Sequence, residues 1–298
     1  MVFSEILVEY RKENNLTQKA LSKRLNALDR KNYGVDEITI SRWENAVSCP
    51  SIKKQCRILC NLELEKFIPF LVLDYYRRGR HNLSLGRRYK NNFHVTDIPY
   101  MKNEGFNVRV YNEVLDEKVD FYCEYNNKIY NVNTSRDSIS KMLNIAESKC
   151  LVECYSKRYE IVGHMFYIIV DNSFLSELCA NLYNCKAMNM SGKSLYIISG
   201  YASTEAIFTY FINLMLNVLL IHDGPDFVYV KSTFNELNEF FLNLSAKVVS
   251  VGVKSENGPK YKGVSYDWVL YEVEKINFIS SKESVLFLDA NTPMIDVC

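Results

Sequence analysis

The cysteines of this chain include pairs whose spacing could bind a metal ion. Cys56 and Cys60 stand four residues apart, as do Cys150 and Cys154, so on a helix each pair can present two thiolates to one metal ion. No second pair of Cys or His follows at zinc-finger spacing. We therefore expect no metal site and interpret these cysteines as small apolar core residues.

The familiar signatures of catalysis are missing from the sequence as well. The histidines share no metal-ligand spacing and belong to no recognisable Ser, Cys or carboxylate constellation; they are His81, His94, His164 and His222. There is no Walker loop, no dinucleotide-binding glycine fingerprint and no His-Glu-x-x-His. We predict no catalytic residue and no cofactor.

Charge is distributed unevenly along the 298 residues, although the net charge is only +1. Residues 1–90 contain 18 Lys and Arg against 10 Asp and Glu, and the remainder contains 18 against 25. A basic N-terminal third followed by an acidic body is typical of a nucleic-acid-binding head on a globular domain. A solvated basic surface without a partner is the alternative.

The chain is expected in the cytoplasm and without a membrane partner. Its N-terminus, MVFSEILVEYRKENN, mixes acids and bases and lacks an uninterrupted apolar stretch of the signal-peptide type. The longest apolar run, residues 206–221, is interrupted by Asn213 and Asn217 and is too short and too polar to span a bilayer. The nine cysteines are an odd number and are expected to stay reduced.

Helical spacing predicts four helices in the first 66 residues. Residues 3–14 are amphipathic, and Thr17 is a natural N-cap for a second helix. The stretch VDEITISRWENAVSCPS, residues 35–51, begins a third helix whose large apolar residues are Ile38, Ile40 and Trp43. The polar residues are left mostly outside; they are Asp36, Glu37, Thr39, Ser41 and Arg42. A fourth helix begins after Pro50 and Ser51.

These residues carry a family resemblance. NLTQKALSKRL, followed by TISRWENAVSCPS and a further amphipathic helix, resembles the Xre/Cro-type helix-turn-helix over residues 3–66. The resemblance implies a compact bundle that places its third helix in the DNA major groove, with Trp43 in the core behind that helix. A helical protein–protein module with the same core is the alternative.

The resemblance also implies which residues meet DNA. Arg42 can bind guanine through two hydrogen bonds, and a carboxylate can accept one from cytosine. Asp36 and Glu37 have an equal alternative, which is to stabilise the helix N-terminus. The predicted contacts in this domain are Gln18, Lys19, Arg30, Lys31, Asp36, Glu37, Thr39, Ser41, Arg42 and Asn45.

Two features of the sequence depart from the family pattern, and a third extends it. The connection from Leu25 to Ile38 is longer than usual, and the loop after the third helix reads Ala-Val-Ser where a basic residue is common. YYRRGRHNLSLGRRYK, residues 75–90, is basic and hinged by glycines, so we predict that Arg77, Arg78 and Arg80 supplement DNA binding through the minor groove. A solvated linker is the alternative.

The body from residue 105 shows alternating strands and helices. VDFYCEYNNKIYNVNT predicts two strands around a turn at Asn126-Asn127, and residues 136–158 look helical. Strands are expected at HMFYIIVDN, KSLYIISGY, DFVYVKS, AKVVSVGV and GVSYDWVLYEV, with helices near residues 175–182, 204–220 and 234–244.

This order of elements resembles the second half of the GNAT acetyltransferase fold over about residues 160–275. That fold implies a mixed, V-shaped sheet with acyl-coenzyme A where two strands splay and its pyrophosphate at the start of the central helix. The corresponding segment here, SGYASTE, has one glycine, then bulky Tyr201, then acidic Glu205, so we expect a degenerate relative without catalysis. The predicted ligand contacts are Gly200, Tyr201, Ser203, Thr204 and Asn213. The repeat of Thr209, Asn213 and Asn217 is interpreted as the solvent-facing side of its helix.

The sequence therefore predicts a multidomain protein with an all-α helix-turn-helix bundle, then an α/β (α+β) domain with a mixed, GNAT-like sheet. The predicted boundaries are 1–68 for the DNA-binding domain, 69–104 for a basic connector and 105–298 for a sensor or dimerisation domain. The predicted partners are double-stranded DNA, a second copy of the chain and a small-molecule or peptide effector. An acyltransferase fused to a DNA-binding domain is the rival, and a DNA-binding partner of a toxin or phage component is a third alternative.

Overall fold

A computed structural model describes residues 2–29, 34–77, 105–130, 135–183, 191–221 and 223–285. These residues cluster into two compact units. The first holds residues 2–77 together with 220–221 and 279–285, and the second holds the rest of the described body. Among the described residues, no helix is both long enough and apolar enough to cross a bilayer.

The first unit is helical from its start. Its helices are α1 (Phe3–Glu13), α2 (Gln18–Leu28), α3 (Glu37–Glu44), α4 (Ile52–Asn61), a short 3-10 turn (Glu65–Phe67) and α5 (Ile68–Arg77). The four predicted helices are present, and α5 occupies the beginning of the segment predicted as a connector.

Side-chain caps explain where three of these helices begin. The backbone N–H of Ala20 donates to Thr17 Oγ1 at 3.1 Å, that of Thr39 to Asp36 Oδ1 at 2.7 Å, and that of Lys54 to Ser51 Oγ at 3.4 Å. Each cap satisfies an N–H group that has no partner inside its helix. The cap predicted at Thr17 is confirmed, and α4 begins after Pro50 and Ser51 as predicted.

The core of this unit forms where the inner faces of the helices meet. Trp43 is only 5% exposed and packs edge-on against Phe3, with ring centroids 6.1 Å apart. Ile40 and the inner residues of α4, among them Cys56 and Leu59, are fully buried. Ile38, predicted as another inner residue, is instead 62% exposed, because it lies on the opposite side of α3 from Ile40 and Trp43.

The second unit is built on a mixed sheet. Its main strands are β1 (Asn107–Tyr111), β2 (Ser148–Tyr155), β3 (Ile161–Asp171), β4 (Lys193–Ala202), β5 (Phe227–Ser232), β6 (Lys247–Val251) and β9 (Val269–Glu274). A small hairpin of β7 (Lys260–Tyr261) and β8 (Val264–Ser265) lies between the last two of these along the chain.

Helices connect the strands and cover the sheet. They are α6 (Asp116–Tyr130), α7 (Arg136–Ile145), α8 (Asn172–Tyr183), α9 (Glu205–Leu220), α10 (Asn235–Asn243) and α11 (Lys275–Ile279). The last described helix, α12 (Lys282–Val285), belongs to the first unit. One core cluster packs α6, α7 and α8 against the sheet through Tyr122, Met142, Leu175 and Phe166.

The strand order across the sheet is β1-β2-β3-β4-β5-β9-β6. Every pairing in this sheet is antiparallel except β4 with β5, which are parallel neighbours joined through α9. A helical bundle followed by an α/β domain with a mixed sheet confirms the predicted fold class.

Two local predictions in the body are wrong. The segment predicted as a hairpin around Asn126-Asn127 is the helix α6, which buries Val119, Tyr122, Cys123 and Asn126 at helical spacing. Residues 136–158, predicted as one helix, divide into α7 and the buried strand β2.

The end of the described chain returns to the helical unit. α12 packs against α5, and the hydroxyl of Tyr76 donates to the backbone oxygen of Ser280 at 3.0 Å. The first unit therefore contains residues from both ends of the described chain.

Candidate functional site

The outward face of α3 carries a narrow stripe of polar and apolar side chains. Glu37, Ile38, Arg42 and Asn45 are exposed and Ser41 is partly exposed. At 100° per residue these positions fall within one arc of about 140°, away from Ile40 and Trp43. The buried indole fixes the orientation of the helix from behind.

Asp36 acts as the N-cap of α3. It accepts from the Thr39 backbone at 2.7 Å, and the hydrogen bonds from the Thr39 side chain and backbone lower the pKa of its carboxyl. Of the two roles predicted for Asp36, the structure shows stabilisation of the helix N-terminus. Glu37 lies in the first turn of α3 with its side chain exposed. From there it can stabilise the helix N-terminus or accept a hydrogen bond from cytosine.

Glu44 is the anchor that joins α3 to the two preceding helices. Its carboxylate accepts from Arg11 Nε at 2.5 Å, from Arg11 Nη2 at 3.0 Å and from Gln18 Nε2 at 2.8 Å. The Glu44 side chain is only 5% exposed, so these donors offset the cost of burying its charge. The contact also fixes Gln18 at the start of α2, beside exposed Lys19.

A local hydrogen bond and a residue in the left-handed backbone conformation mark the end of α3. Asn45 Nδ2 donates to the backbone oxygen of Ser41 at 2.9 Å, and Ala46 then has a φ of 54°. Val47 is 74% exposed just beyond it.

Of the remaining predicted DNA contacts, Arg30, Lys31, Arg78 and Arg80 lie outside the described residues, as does the side chain of Arg77.

The second unit opens a wedge in its sheet between β4 and β5. The two strands pair only at Ser194 with Phe227, Leu195 with Val228 and Tyr196 with Tyr229. β4 continues to Ala202 along β3, and β5 continues to Ser232 along β9, so the two strands separate after Tyr196. This is the splayed arrangement that the resemblance to the GNAT fold implies.

A cavity of about 90 Å³ lies in this wedge. Its walls come from both separating strands and from α9 and α10, and they include Met165, Ile197, Phe208, Phe211, Ile212, Val230 and Phe241. Lys231 also lines it, at the end of β5. Sequence reasoning did not single out this lysine, because one charge at the end of an apolar strand has no diagnostic spacing.

The predicted ligand contacts fall in different places. Gly200 and Tyr201 line the cavity. Thr204 Oγ1 accepts from the backbone of Ile207 at the start of α9, while Ser203 is 6% exposed. Asn213 is 2% exposed, so its interpretation as part of a solvent-facing stripe is wrong.

A buried polar cluster crosses the other side of the sheet. His164 Nε2 lies 2.8 Å from Ser199 Oγ, and Glu153, the strand neighbour of His164, accepts from Lys118 Nζ at 2.8 Å and from Tyr122 at 2.7 Å. Burial lowers the pKa of His164 to about 3, so this imidazole is neutral. No spacing along the chain reveals this constellation, because it depends on the register of three strands.

That cluster is a core feature of the sheet. His164 is 2% exposed, Ser199 is 3% exposed and Glu153 is fully buried. A substrate has no access to such a hydroxyl. The network satisfies buried polar groups, as interior polar side chains generally require.

Of the four paired cysteines, Cys56, Cys150 and Cys154 are buried and Cys60 is partly exposed. Cys150 and Cys154 lie on β2 rather than on a helix, where four residues span about 13 Å, too far apart to bind one metal ion. Burial raises the pKa of the Cys154 thiol to about 12 and raises that of Cys56 as well. These thiols therefore stay protonated and pack as apolar groups.

Comparison with known proteins identifies the first unit. Residues 7–64 match the helix-turn-helix family model. The N-terminal unit contains an Xre/Cro-type helix-turn-helix domain. This agrees with the fold of α1–α4 and with the sequence resemblance.

Solved structures similar to the body are acyltransferases and synthases. Arabidopsis thaliana NAA60 in complex with acetyl-CoA is 14% identical, covering 57% of this chain and 99% of that one, with a TM-score of 0.36. FeeM, an N-acyl amino acid synthase from uncultured soil microbes, is 10% identical, covering 62% and 100%, with a TM-score of 0.38. The AHL synthase LasI is 13% identical, covering 58% and 91%, with a TM-score of 0.35. No curated protein matches the chain.

Proposed function

We propose that this protein is a sequence-specific DNA-binding transcriptional regulator whose C-terminal domain senses a ligand or forms a homodimer. The observation that carries the proposal is the outward stripe of α3, with Arg42 exposed and Trp43 buried directly behind it. In the helix-turn-helix family the corresponding helix enters the major groove.

The chemistry of the stripe supports base reading over simple charge attraction. Arg42 can donate two hydrogen bonds to guanine, and exposed Ile38, one helical turn before it, can contact a thymine methyl group. Asn45 and Ser41 continue the same face. Phosphate contacts then fall to cationic residues around the stripe, such as exposed Lys19.

The homodimer and the cytoplasmic location belong to the same proposal. One short recognition helix rarely supplies enough affinity alone, and helix-turn-helix proteins commonly read paired half-sites about one helical turn apart. The body is the part of the chain that would join two such heads or respond to an effector.

An acyltransferase activity is the second candidate, because β4 and β5 splay as the resemblance to the GNAT fold implies. The start of α9 speaks against it. Glu205 adds a negative charge where a pyrophosphate would lie, and bulky Tyr201 follows Gly200. Calorimetry with acetyl-coenzyme A separates the two: micromolar binding would favour the enzyme, and no binding favours the regulator.

The experiment that tests the regulator is selection from a random duplex DNA pool by the full-length protein. We expect the wild-type chain to enrich one motif and Arg42→Ala to enrich none. Lys141→Ala is the matched control, because it removes one exposed positive charge from α7 in the body. A wild-type chain that enriches no motif would count against DNA reading.

A further inference from the structure

Ile38 is the apolar member of the outward stripe of α3. The other four side chains of that stripe are polar or charged; they are Glu37, Ser41, Arg42 and Asn45. Ile38 is 62% exposed, whereas Ile40 and Trp43 on the inner side of the same helix are buried. The bundle therefore does not use Ile38 as a core residue, and its side chain lies on the same face as Arg42.

The major groove offers one apolar group that such a side chain can recognise. All base pairs present hydrogen-bond donors and acceptors at their major-groove edges, but thymine also presents a 5-methyl group. Cytosine carries the same group on the same ring carbon once it is methylated there. Because an aliphatic side chain cannot form hydrogen bonds, the 5-methyl group of a pyrimidine is the feature that Ile38 can distinguish.

The position of this apolar surface is set before DNA binds. Branching at Cβ leaves isoleucine in a helix with one strongly preferred rotamer, so little side-chain entropy is lost on contact. The helix itself is fixed by the buried indole of Trp43 and by the Glu44 carboxylate, which accepts from Arg11. A contact made by Ile38 is therefore specific in place.

The spacing along α3 limits where the methyl group can lie. Ile38 and Arg42 are four residues apart, which is about 6 Å along the helix axis. Base pairs are stacked about 3.4 Å apart, so the helix alone separates the two contacts by about two base-pair steps. Allowing for the length of the arginine side chain, the methyl group and the guanine should lie within about three base pairs of each other.

We propose that Ile38 is a specificity-determining residue that recognises the 5-methyl group of a pyrimidine within about three base pairs of the guanine bound by Arg42. This inference rests on the proposed function and adds a feature of the DNA that it recognises. Thymine and methylated cytosine are the two possible sources of the methyl group.

The test removes or adds single methyl groups in the selected motif without changing its base pairing. Uracil replaces each thymine in turn, and 5-methylcytosine replaces each cytosine in turn. Binding of the full-length protein to each duplex is measured by fluorescence anisotropy.

Two results support the inference and identify the source. If the source is thymine, uracil at one position should weaken wild-type binding about fourfold, the effect expected for uncovering one methyl group. If the source is methylated cytosine, 5-methylcytosine at one position should strengthen binding by about the same factor.

Ile38→Ala should lose this dependence on the methyl group, changing less than about 1.5-fold where the wild type changes fourfold. The variant should fold, because Ile38 is mostly exposed and alanine favours the helix. Leu28→Ala is the matched control at the end of α2, where Leu28 is 50% exposed, and it should keep the full fourfold response.

The inference is overturned if no single methyl group of the motif affects wild-type binding, or if Ile38→Ala keeps the full response. The wild-type measurements need no variant, so a misfolded Ile38→Ala chain cannot obscure them. A selected motif whose binding ignores every pyrimidine methyl group defeats this inference alone. If the wild type selects no motif, the proposed function fails and this inference fails with it.

Discussion

Arg11 and Glu44 form a two-pronged ion pair between α1 and the last residue of α3, with Nε–Oε1 and Nη2–Oε2 distances of 2.5 and 3.0 Å. Because Gln18 donates to the same carboxylate, one acid positions three helices. The stripe that faces away from the bundle is held in place by this contact as well as by the buried indole of Trp43.

Glu44→Gln is expected to lower the free energy of unfolding of the helical unit by about 1–3 kcal/mol, because it leaves the Arg11 guanidinium without its carboxylate. Trp43 fluorescence during urea denaturation, in a Trp268→Phe background, reports on this unit alone. Glu9→Gln, which removes an exposed acid from α1, is the control and should change stability by less than about 0.5 kcal/mol. Equal losses in the two variants would show that the ion pair does not stabilise the bundle.

The arginines after α5 predict a change in salt dependence. Neutralising Arg77, Arg78 and Arg80 together should reduce the slope of log affinity against log salt by up to about 2.7, since each neutralised phosphate contributes about 0.9. Binding of the selected motif is titrated between low and moderate salt for both proteins. An unchanged slope would assign this stretch to a solvated linker.

The ion pair of Lys118 with buried Glu153 predicts how folding stability depends on pH. The wild type and one variant should respond in opposite directions. Burial raises the pKa of Glu153, but hydrogen bonds from Lys118, Tyr155 and Tyr122 outweigh it and hold the pKa below 4.5. The wild-type stabilisation is therefore present above about pH 4.5 and is lost as the pH falls through the folded-state pKa.

Lys118→Met leaves the Glu153 carboxylate buried without its cation. We expect the free energy of unfolding to fall by about 3–5 kcal/mol at pH 7. The loss becomes smaller toward pH 4, because the Glu153 carboxylate then takes up a proton. Lys128→Met, in an exposed pair with Glu124, should cost less than about 0.5 kcal/mol. A loss on Lys118→Met that is as large at pH 4 as at pH 7 would contradict the role of this pair.

Local chemistry was enough to predict helices α1 to α4 of the helical unit. Thr17 caps α2 and Trp43 is buried because a cap and a helical apolar stripe both act within a few residues. Ile38 was assigned to the inside from its residue type, yet its angular position on α3 puts it on the outer face. The neighbouring helices, rather than hydrophobicity, decide which side is inner.

The body was less predictable because its pattern is ambiguous and its contacts are distant in sequence. Residues 116–130 alternate well enough for strands, but they also place Val119, Tyr122 and Asn126 on one helical face, and packing selects the helix. The Glu153–His164 pair and the wedge at Lys231 depend on strand register. Neither can be read from spacing along the chain.

The most direct test of the central claim replaces one guanine of the selected motif with 7-deazaguanine, which lacks the N7 acceptor. If Arg42 reads that guanine, wild-type affinity should fall about tenfold, and the Arg42→Ala chain should lose nothing further from the same substitution. Equal losses in both proteins, or no loss in the wild type at any guanine of the motif, would contradict the placement of α3 in the major groove.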